Sequence, residues 1–262
     1  MPLCTLPSGP TIGYDEAGDG TPLLLLHAFP LDRGMWQPQL ATLAAAARLV
    51  AVDMPGFGES PAAPFTIEGA AELVAEFLAA RDIPKAVVCG LSMGGYVALA
   101  LARKRPDLLR GLILADTRAG IDDSAARANR DKSIALATEK GSAALFETML
   151  PKVVSASTLA DRPGVVERLR TLAARQPAAS VVAALVALRD RPDANDGLKS
   201  ITVPTLVLVG EHDAVTPALS AANLAGQIRG SKLVHIPGAG HLSSAENAEA
   251  FNAAVRSFLA AC

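Results

Sequence analysis

The sequence predicts an α/β fold, in which a mostly parallel central sheet is flanked by helices and carries a helical cap insertion. Two observations lead to this prediction. Short aliphatic runs alternate with longer Ala- and Leu-rich stretches of helical period, which is the pattern of βαβ units. The 262 residues are 50% hydrophobic and 19% charged, so the chain can bury a large core and is too apolar to be disordered.

The predicted strands begin with an antiparallel hairpin at one sheet edge, in which a Ser-Gly-Pro turn joins residues 5–6 to residues 11–15. Six aliphatic runs then predict buried strands: residues 22–27, 48–53, 86–89, 111–116, 205–209 and 232–236. A loop with Gly, Pro, Asp or His follows each run. Because open α/β sheets bind ligands at the carboxyl ends of parallel strands, we expect the functional residues in these loops.

Helices are predicted after most of the strands, and several begin at a Ser, Thr or Pro that suits a helix start. They cover residues 37–47, 67–81, 93–104, 217–229 and 245–260. The alternation fails over residues 117–198, where five residues interrupt the helical patterns: Gly141, Pro151, Pro163, Pro177 and Pro192. Long structureless loops are uncommon in compact domains, so this segment is predicted to be a helical cap or lid, inserted into a core of residues 1–116 and 199–262.

Charge and composition exclude several classes of function. The 24 Lys and Arg residues nearly balance the 26 Asp and Glu residues, and no basic block offers a surface for nucleic acid. Residues 86–102 are uncharged, but glycines and a serine interrupt them, so no membrane partner is expected. Residues 1–14 do not resemble a signal peptide, and three widely spaced cysteines favour a reducing compartment. We therefore expect a cytoplasmic protein.

The clearest candidate for chemistry is Ser92, which lies in a Gly-Leu-Ser-Met-Gly sequence between a predicted strand and a predicted helix. At such a turn the serine takes a strained backbone conformation, and the glycines allow the strand and the helix to approach closely. The hydroxyl is then held out over the sheet as a nucleophile. The alternative is a serine that only caps the following helix.

A serine hydroxyl is a poor nucleophile without a base, and the chain has four histidines. His241, in a glycine-rich loop after the last predicted strand, is predicted to be the general base and later the general acid. The alternative is a loop histidine that faces solvent. His27 and His235 lie in predicted strands and are expected to be core or backbone-organising residues, whereas His212 is expected only to shape its loop.

The imidazole needs a carboxylate that orients it and stabilises its charged form. Asp213 closes a Gly-Glu-His-Asp loop after the strand predicted over residues 205–209 and is the preferred candidate. The resulting order of nucleophile, acid and base differs from both well-known serine protease orders. Asp116 also ends a predicted strand and is the alternative acid.

Negative charge that develops on a carbonyl oxygen during attack needs hydrogen-bond donors that are already in place. These donors are typically the N–H after the nucleophile and one N–H from an early strand-to-helix loop. The corresponding residues are Met93 and Phe29. The Phe29 ring is also expected to line an acyl pocket, although packing accounts for an aromatic residue there equally well.

Five motifs together resemble the α/β-hydrolase superfamily over nearly the whole chain. They are His-Ala-Phe-Pro at residues 27–30, Asp-Met-Pro-Gly-Phe-Gly-Glu-Ser at 53–60, the nucleophile turn at 90–94, and the loops at 210–213 and 238–241. The Gly-Leu-Ser-Met-Gly-Gly form is similar to enol-lactonases and to the cofactor-free haloperoxidase or esterase branch. One departure is Ala28, where the family usually has glycine. The backbone geometry of this loop sets the position of the Phe29 N–H, so the assignment of Phe29 as an oxyanion donor depends on it.

The sequence therefore predicts a serine hydrolase that cleaves small, fairly apolar carboxylic esters through an acyl-enzyme on Ser92. A serine at this position disfavours chemistry that needs a carboxylate nucleophile. The scattered histidines imply no metal, and the lack of a glycine-rich phosphate motif implies no nucleotide cofactor. Lactone hydrolysis and perhydrolysis stay open within this prediction, and a small-molecule sensor that keeps the triad is an alternative of another class.

Overall fold

Eight strands form one sheet in the computed structural model, which describes residues 2–262. In chain order they are β1 (Leu3–Thr5), β2 (Thr11–Ala17), β3 (Pro22–Leu26), β4 (Arg48–Val52), β5 (Ala86–Leu91), β6 (Leu109–Ala115), β7 (Thr205–Gly210) and β8 (Lys232–Ile236). Across the sheet the order is β1-β2-β4-β3-β5-β6-β7-β8. The β1/β2 and β2/β4 pairs are antiparallel and the other pairs are parallel, so the predicted α/β fold is confirmed.

The predicted strands differ from the structure mainly at their ends. The hairpin strand β2 runs past its predicted end to Ala17, because it also pairs with β4, where Ala17 lies opposite Leu49. Strand β6 begins early, at Leu109, because this residue still pairs with Ala86 of β5. These pairings join segments that are distant in sequence, which a local pattern does not report.

Ten α-helices accompany the sheet within the described residues. They are α1 (Gln37–Leu43), α2 (Ile67–Ala80), α3 (Met93–Lys104), α4 (Ser124–Val153), α5 (Ala156–Asp161), α6 (Pro163–Ala174), α7 (Ala178–Asp190), α8 (Ala218–Gln227), α9 (Ser243–Glu246) and α10 (Ala248–Leu259). The helix predicted over residues 245–260 is wrong in its first part, because Asn247 separates α9 from α10 and its side chain caps α10 by accepting from the Ala250 N–H at 3.1 Å.

The core lies on both faces of the sheet. Because side chains alternate along a strand, Leu24 of β3 packs on the side of α2 and α3, whereas Leu25 packs on the side of α1 and α10. Every residue of β4 after Arg48 is buried, as expected for a central strand covered on both faces. The sheet that carries the loops at its carboxyl edge is therefore packed on both faces.

Residues 117–198 contain α4 to α7, as the sequence predicts for a helical insertion. The insertion is tied to the core by Asp32, a fully buried residue after β3, whose carboxylate accepts from Arg175 Nε at 2.6 Å. Gln176 donates to the same carboxylate at 2.5 Å, and its side-chain oxygen accepts from the Gly58 N–H at 2.9 Å. The role of the segment as a cap or lid stays a prediction.

Gly141 divides α4 into two halves, because its φ of 80° and ψ of 179° are not helical. Only glycine adopts this region readily, although a Cβ at this position would meet no atom within 4 Å.

We expect Gly141→Ala to lower the free energy of unfolding by about 1–3 kcal/mol through backbone strain alone. Chemical denaturation measures this, with Gly164→Ala in the first turn of α6 as the matched control. Gly164 is equally uncrowded and has no positive φ, so its replacement should not destabilise the protein; equal effects would contradict the strain.

No single helix within residues 2–262 is long and apolar enough to cross a membrane. The bent pair of α6 and α7, with 96° between the two helices, passes the same test by length and composition only.

Candidate active site

Ser92 occupies the turn between β5 and α3 with φ 55° and ψ −111°, the strained conformation that the sequence predicts. Two glycines make this turn possible. A Cβ at Gly90 would lie 2.1 Å from the Gly94 carbonyl oxygen, and a Cβ at Gly94 would lie 2.1 Å from the Leu26 carbonyl oxygen. The Ser92 side chain makes no capping hydrogen bond to α3, so the alternative of a simple helix cap is not supported.

The structure brings the three predicted catalytic residues together. Ser92 Oγ lies 2.9 Å from His241 Nε2, and His241 Nδ1 lies 2.9 Å from Asp213 Oδ2. The imidazole is 3% exposed, so most of its surface is packed against the protein. Asp213 Oδ1 accepts from the N–H groups of Val215 and Thr216, at 2.7 and 2.9 Å, which fixes the carboxylate against the histidine. The structure therefore aligns the predicted nucleophile, base and acid in one line of hydrogen bonds.

Asp116, the alternative acid, has other partners. Its Oδ1 accepts from the Gly210 N–H at 2.8 Å, and its Oδ2 accepts from the Ser243 hydroxyl. The residue is fully buried at the end of β6 with a positive φ of 46°. Burial, together with the nearby charge of Asp213, raises the pKa of the Asp116 carboxyl. Its carboxyl group therefore connects the end of β7 to the start of α9 instead of orienting His241.

The remaining histidines have separate environments. His27 is fully buried and organises the backbone, because its Nε2 accepts from the Met54 N–H at 2.9 Å while its Nδ1 lies 3.0 Å from the Ala28 carbonyl oxygen. The expectation of a core role for His235 is wrong, since β8 is an edge strand and this side chain is exposed. The His212 side chain is exposed, as a loop-shaping residue would be, and its N–H donates to the Ala239 carbonyl.

The predicted oxyanion donors lie at the same sheet edge as Ser92. Phe29 follows β3, the direct neighbour of β5, and Met93 begins α3. Neither backbone N–H donates a hydrogen bond to any other group in residues 2–262, so both are free to receive an oxygen. Ala28 is fully buried where the family usually has glycine, which shows that a side chain fits there. The role of these two N–H groups stays a prediction.

Comparison with known proteins then adds an independent observation. The sequence profile described as the alpha/beta hydrolase family matches residues 23–254. The chain belongs to this family.

Three relatives of this alpha/beta hydrolase illustrate the range of its similarities. A thermophilic esterase from Thermogutta terrifontis is 38% identical, with a TM-score of 0.95 over 99% of this chain and 98% of the other. A pimeloyl-[acyl-carrier protein] methyl ester esterase from Neisseria meningitidis is 34% identical over 90% of this chain and 92% of its own length. An enol-lactonase from Burkholderia xenovorans is 28% identical, with a TM-score of 0.91 over 99% and 100% of the two chains.

The alpha/beta hydrolase has a cavity of about 510 Å³ that reaches the predicted catalytic residues. Ser92, His241 and Phe29 line it from the core, and both halves of α4 line it from the insertion. The break at Gly141 allows residues from both halves of one helix to reach the same space. A cavity of this volume suits a small ligand.

Glu246 is a residue of the site that the sequence did not predict. It is 1% exposed, and its Oε1 accepts from the N–H groups of Gly240 and Leu242, at 2.9 and 3.2 Å, on either side of His241. Its Oε2 accepts from the Ser155 N–H at 2.7 Å, which ties the insertion to the same loop. The available signal is a glutamate that ends a fully buried short helix. This carboxylate holds the His241 backbone in place.

Glu246→Gln is expected to lower the free energy of unfolding by about 1–3 kcal/mol, measured by chemical denaturation. The amide keeps the shape of the side chain, but its NH₂ group would face a backbone N–H that needs an acceptor. The control is Glu139→Gln on the exposed side of α4, which should change stability by less than about 0.5 kcal/mol. Equal effects of the two substitutions would contradict the role of Glu246.

Proposed function

We propose that this alpha/beta hydrolase is a serine-dependent hydrolase of small carboxylic esters that works through an acyl intermediate on Ser92. The observation that carries the proposal is the line of hydrogen bonds from Ser92 Oγ to His241 and from His241 to Asp213, each 2.9 Å long, beside the cavity. Esterases among the relatives support the choice of ester as the substrate class.

In the proposed reaction, His241 Nε2 takes the proton of the Ser92 hydroxyl while Oγ attacks the ester carbonyl carbon. His241 Nδ1 keeps its proton in the hydrogen bond to Asp213, whose charge stabilises the imidazolium that forms. The N–H groups of Phe29 and Met93 receive the negative carbonyl oxygen. The imidazolium then gives its proton to the departing alcohol oxygen, and the carbonyl–oxygen bond to the alcohol breaks.

The second half of the reaction repeats these steps with water. His241 takes a proton from a water molecule, which attacks the acyl carbon on Ser92, and the imidazolium returns the proton to Ser92 Oγ as the acid is released. A lactone is a cyclic ester and fits the same steps, and the enol-lactonase relative favours this second candidate. The difference is that a lactone releases no separate alcohol.

The pH dependence of this mechanism follows from His241. Burial acts to lower its pKa, but the charge and hydrogen bond of Asp213 outweigh burial, so the pKa lies above the ordinary value of 6.5. Only the neutral imidazole accepts the serine proton, so activity should be lost as pH falls through a single pKa above 6.5. The profile of kcat/KM against pH measures it, and an acid limb centred below the ordinary histidine value would contradict this environment.

A panel of small esters and lactones at equal concentration tests the proposed function. We expect turnover of short-chain aryl and methyl esters that disappears in Ser92→Ala. A protein that binds the panel but turns over none of it would be a sensor and would refute the proposal. The relative rates on matched open-chain and cyclic esters decide between the two candidates.

A further inference from the structure

The cavity beside Ser92 has an unusual distribution of charge. Four of the residues that line it carry positive charge, namely Arg118, Arg130, Lys132 and Lys152, and the negative one is Asp122. The protein as a whole has a formal charge of −2, so this excess of positive charge is local. Electrostatic focusing in a cleft of one sign raises the local concentration of ligands of the opposite sign.

The two arginines are held in place by Asp122. Its carboxylate, which has no exposure, contacts Arg118 at 2.5 Å and Arg130 at 3.1 Å, and a third arginine, Arg191, contacts it at 2.8 Å. These contacts lower the pKa of the Asp122 carboxyl although burial opposes the shift. One negative charge is thus shared among three guanidinium groups, and the cluster keeps a net positive charge.

The two lysines have no such partner. Lys132 lies in the first half of α4 and Lys152 in the second half, and neither forms an ion pair with a carboxylate anywhere in the described chain. Both side chains are exposed and both line the cavity. A single exposed lysine is common and carries no argument. Here two lysines without an ion-pair partner lie beside an arginine cluster whose positive charge exceeds that of its one carboxylate, in the cavity that contains Ser92. Such an arrangement favours the binding of an anion.

We propose that the substrate is an ester or lactone that carries a free carboxylate, which binds these cations while its ester carbonyl lies at Ser92. The inference rests on the proposed function and names its substrate class. A carboxylate is the favoured anion because the arginine pair already binds one, that of Asp122. The apolar residues of the same cavity, Leu136 and Met149 among them, suit the carbon chain between the two groups.

Half-esters of dicarboxylic acids test this substrate class directly. The monomethyl and dimethyl esters of each acid from succinic to suberic have the same carbon chain, and only the monomethyl ester carries a carboxylate, which is ionised near neutral pH. For at least one chain length, the kcat/KM of the monomethyl ester should exceed that of the dimethyl ester by about tenfold at low salt. High salt should reduce this ratio because it screens exposed charges.

The double variant Lys132→Gln, Lys152→Gln should lower the ratio of the two kcat/KM values by about fivefold, since two of the cations are lost. The matched control is Lys199→Gln, Lys232→Gln, whose lysines are exposed and do not line the cavity. The control should leave the ratio unchanged. Both positions of the test variant are exposed and unpaired, so its folding should be unaffected, which circular dichroism checks.

The outcomes separate this inference from the proposed function. Turnover of the dimethyl esters that depends on Ser92, with no preference for the monomethyl esters, would overturn the inference and leave the proposed function intact. A preference that the lysine variant and the control change equally would also overturn it. Turnover that survives in Ser92→Ala would refute the proposed function itself.

Discussion

Ser92→Ala is expected to lower kcat for every ester substrate by about 10⁴ or more while the protein stays folded. In the proposed mechanism the hydroxyl oxygen forms the acyl bond, and its partner is His241 Nε2 at 2.9 Å, so no other group replaces it. Loss of the side-chain oxygen leaves the cavity and the backbone donors in place. Turnover assays together with circular dichroism measure both parts of the expectation.

Ser244→Ala is the matched control for this substitution. Ser244 is also buried near the His241 loop, and its hydroxyl has no hydrogen-bond partner among residues 2–262. Its replacement should leave kcat within about twofold of the parent, because no contact is lost. Near-normal turnover in a folded Ser92→Ala protein would dispose of the serine mechanism.

The second large effect is expected at Asp213. Asp213→Asn should lower kcat by about 10² to 10⁴, because the asparagine no longer holds His241 in the tautomer that accepts the serine proton. Asp116→Asn is the matched comparison and should lower kcat by less than about tenfold. An asparagine at this position can still accept from the Gly210 N–H and donate to the Ser243 hydroxyl.

Both aspartate variants must first be compared with the parent by thermal unfolding, because each carboxylate also organises a loop. The two substitutions each replace one carboxyl group by an amide at neighbouring strand ends, so the difference between them reports contact with the imidazole. The opposite ranking would move the catalytic acid to Asp116 and reduce Asp213 to a residue that shapes its loop.

The sequence predicted the central strands and the strand-to-helix turn at Ser92 well, since each depends on a few consecutive residues. Ser92 lies between a strand and a helix that are adjacent in the chain, so its strained turn follows from local sequence. The choice of Asp213 over Asp116 needed only the expectation that the loops after the last two strands are neighbours, and β7 pairs with β8 in the structure.

The residues that the sequence did not predict act across long separations. Glu246 receives the Ser155 N–H from 91 positions away, and no local pattern reports this contact. Asp122 is a mixed case, because Arg118 and Arg130 are near it in the chain whereas Arg191 comes from the far end of the insertion. The sequence predicts fairly apolar substrates, because a helical pattern does not reveal which charged residues of the insertion face the cavity. His235 was misplaced because exposure at a sheet edge depends on the strand order.

The central claim is that Ser92 is the activated nucleophile of this hydrolase, and covalent labelling with a fluorophosphonate tests it most directly. An activated serine oxygen attacks the phosphorus, forms a P–O bond and expels fluoride, whereas ordinary serines do not react. Intact-mass measurement and peptide mapping should find one label per chain, on Ser92, and none in Ser92→Ala. Labelling at a different residue, or full ester turnover by a protein that takes no label, would contradict the account.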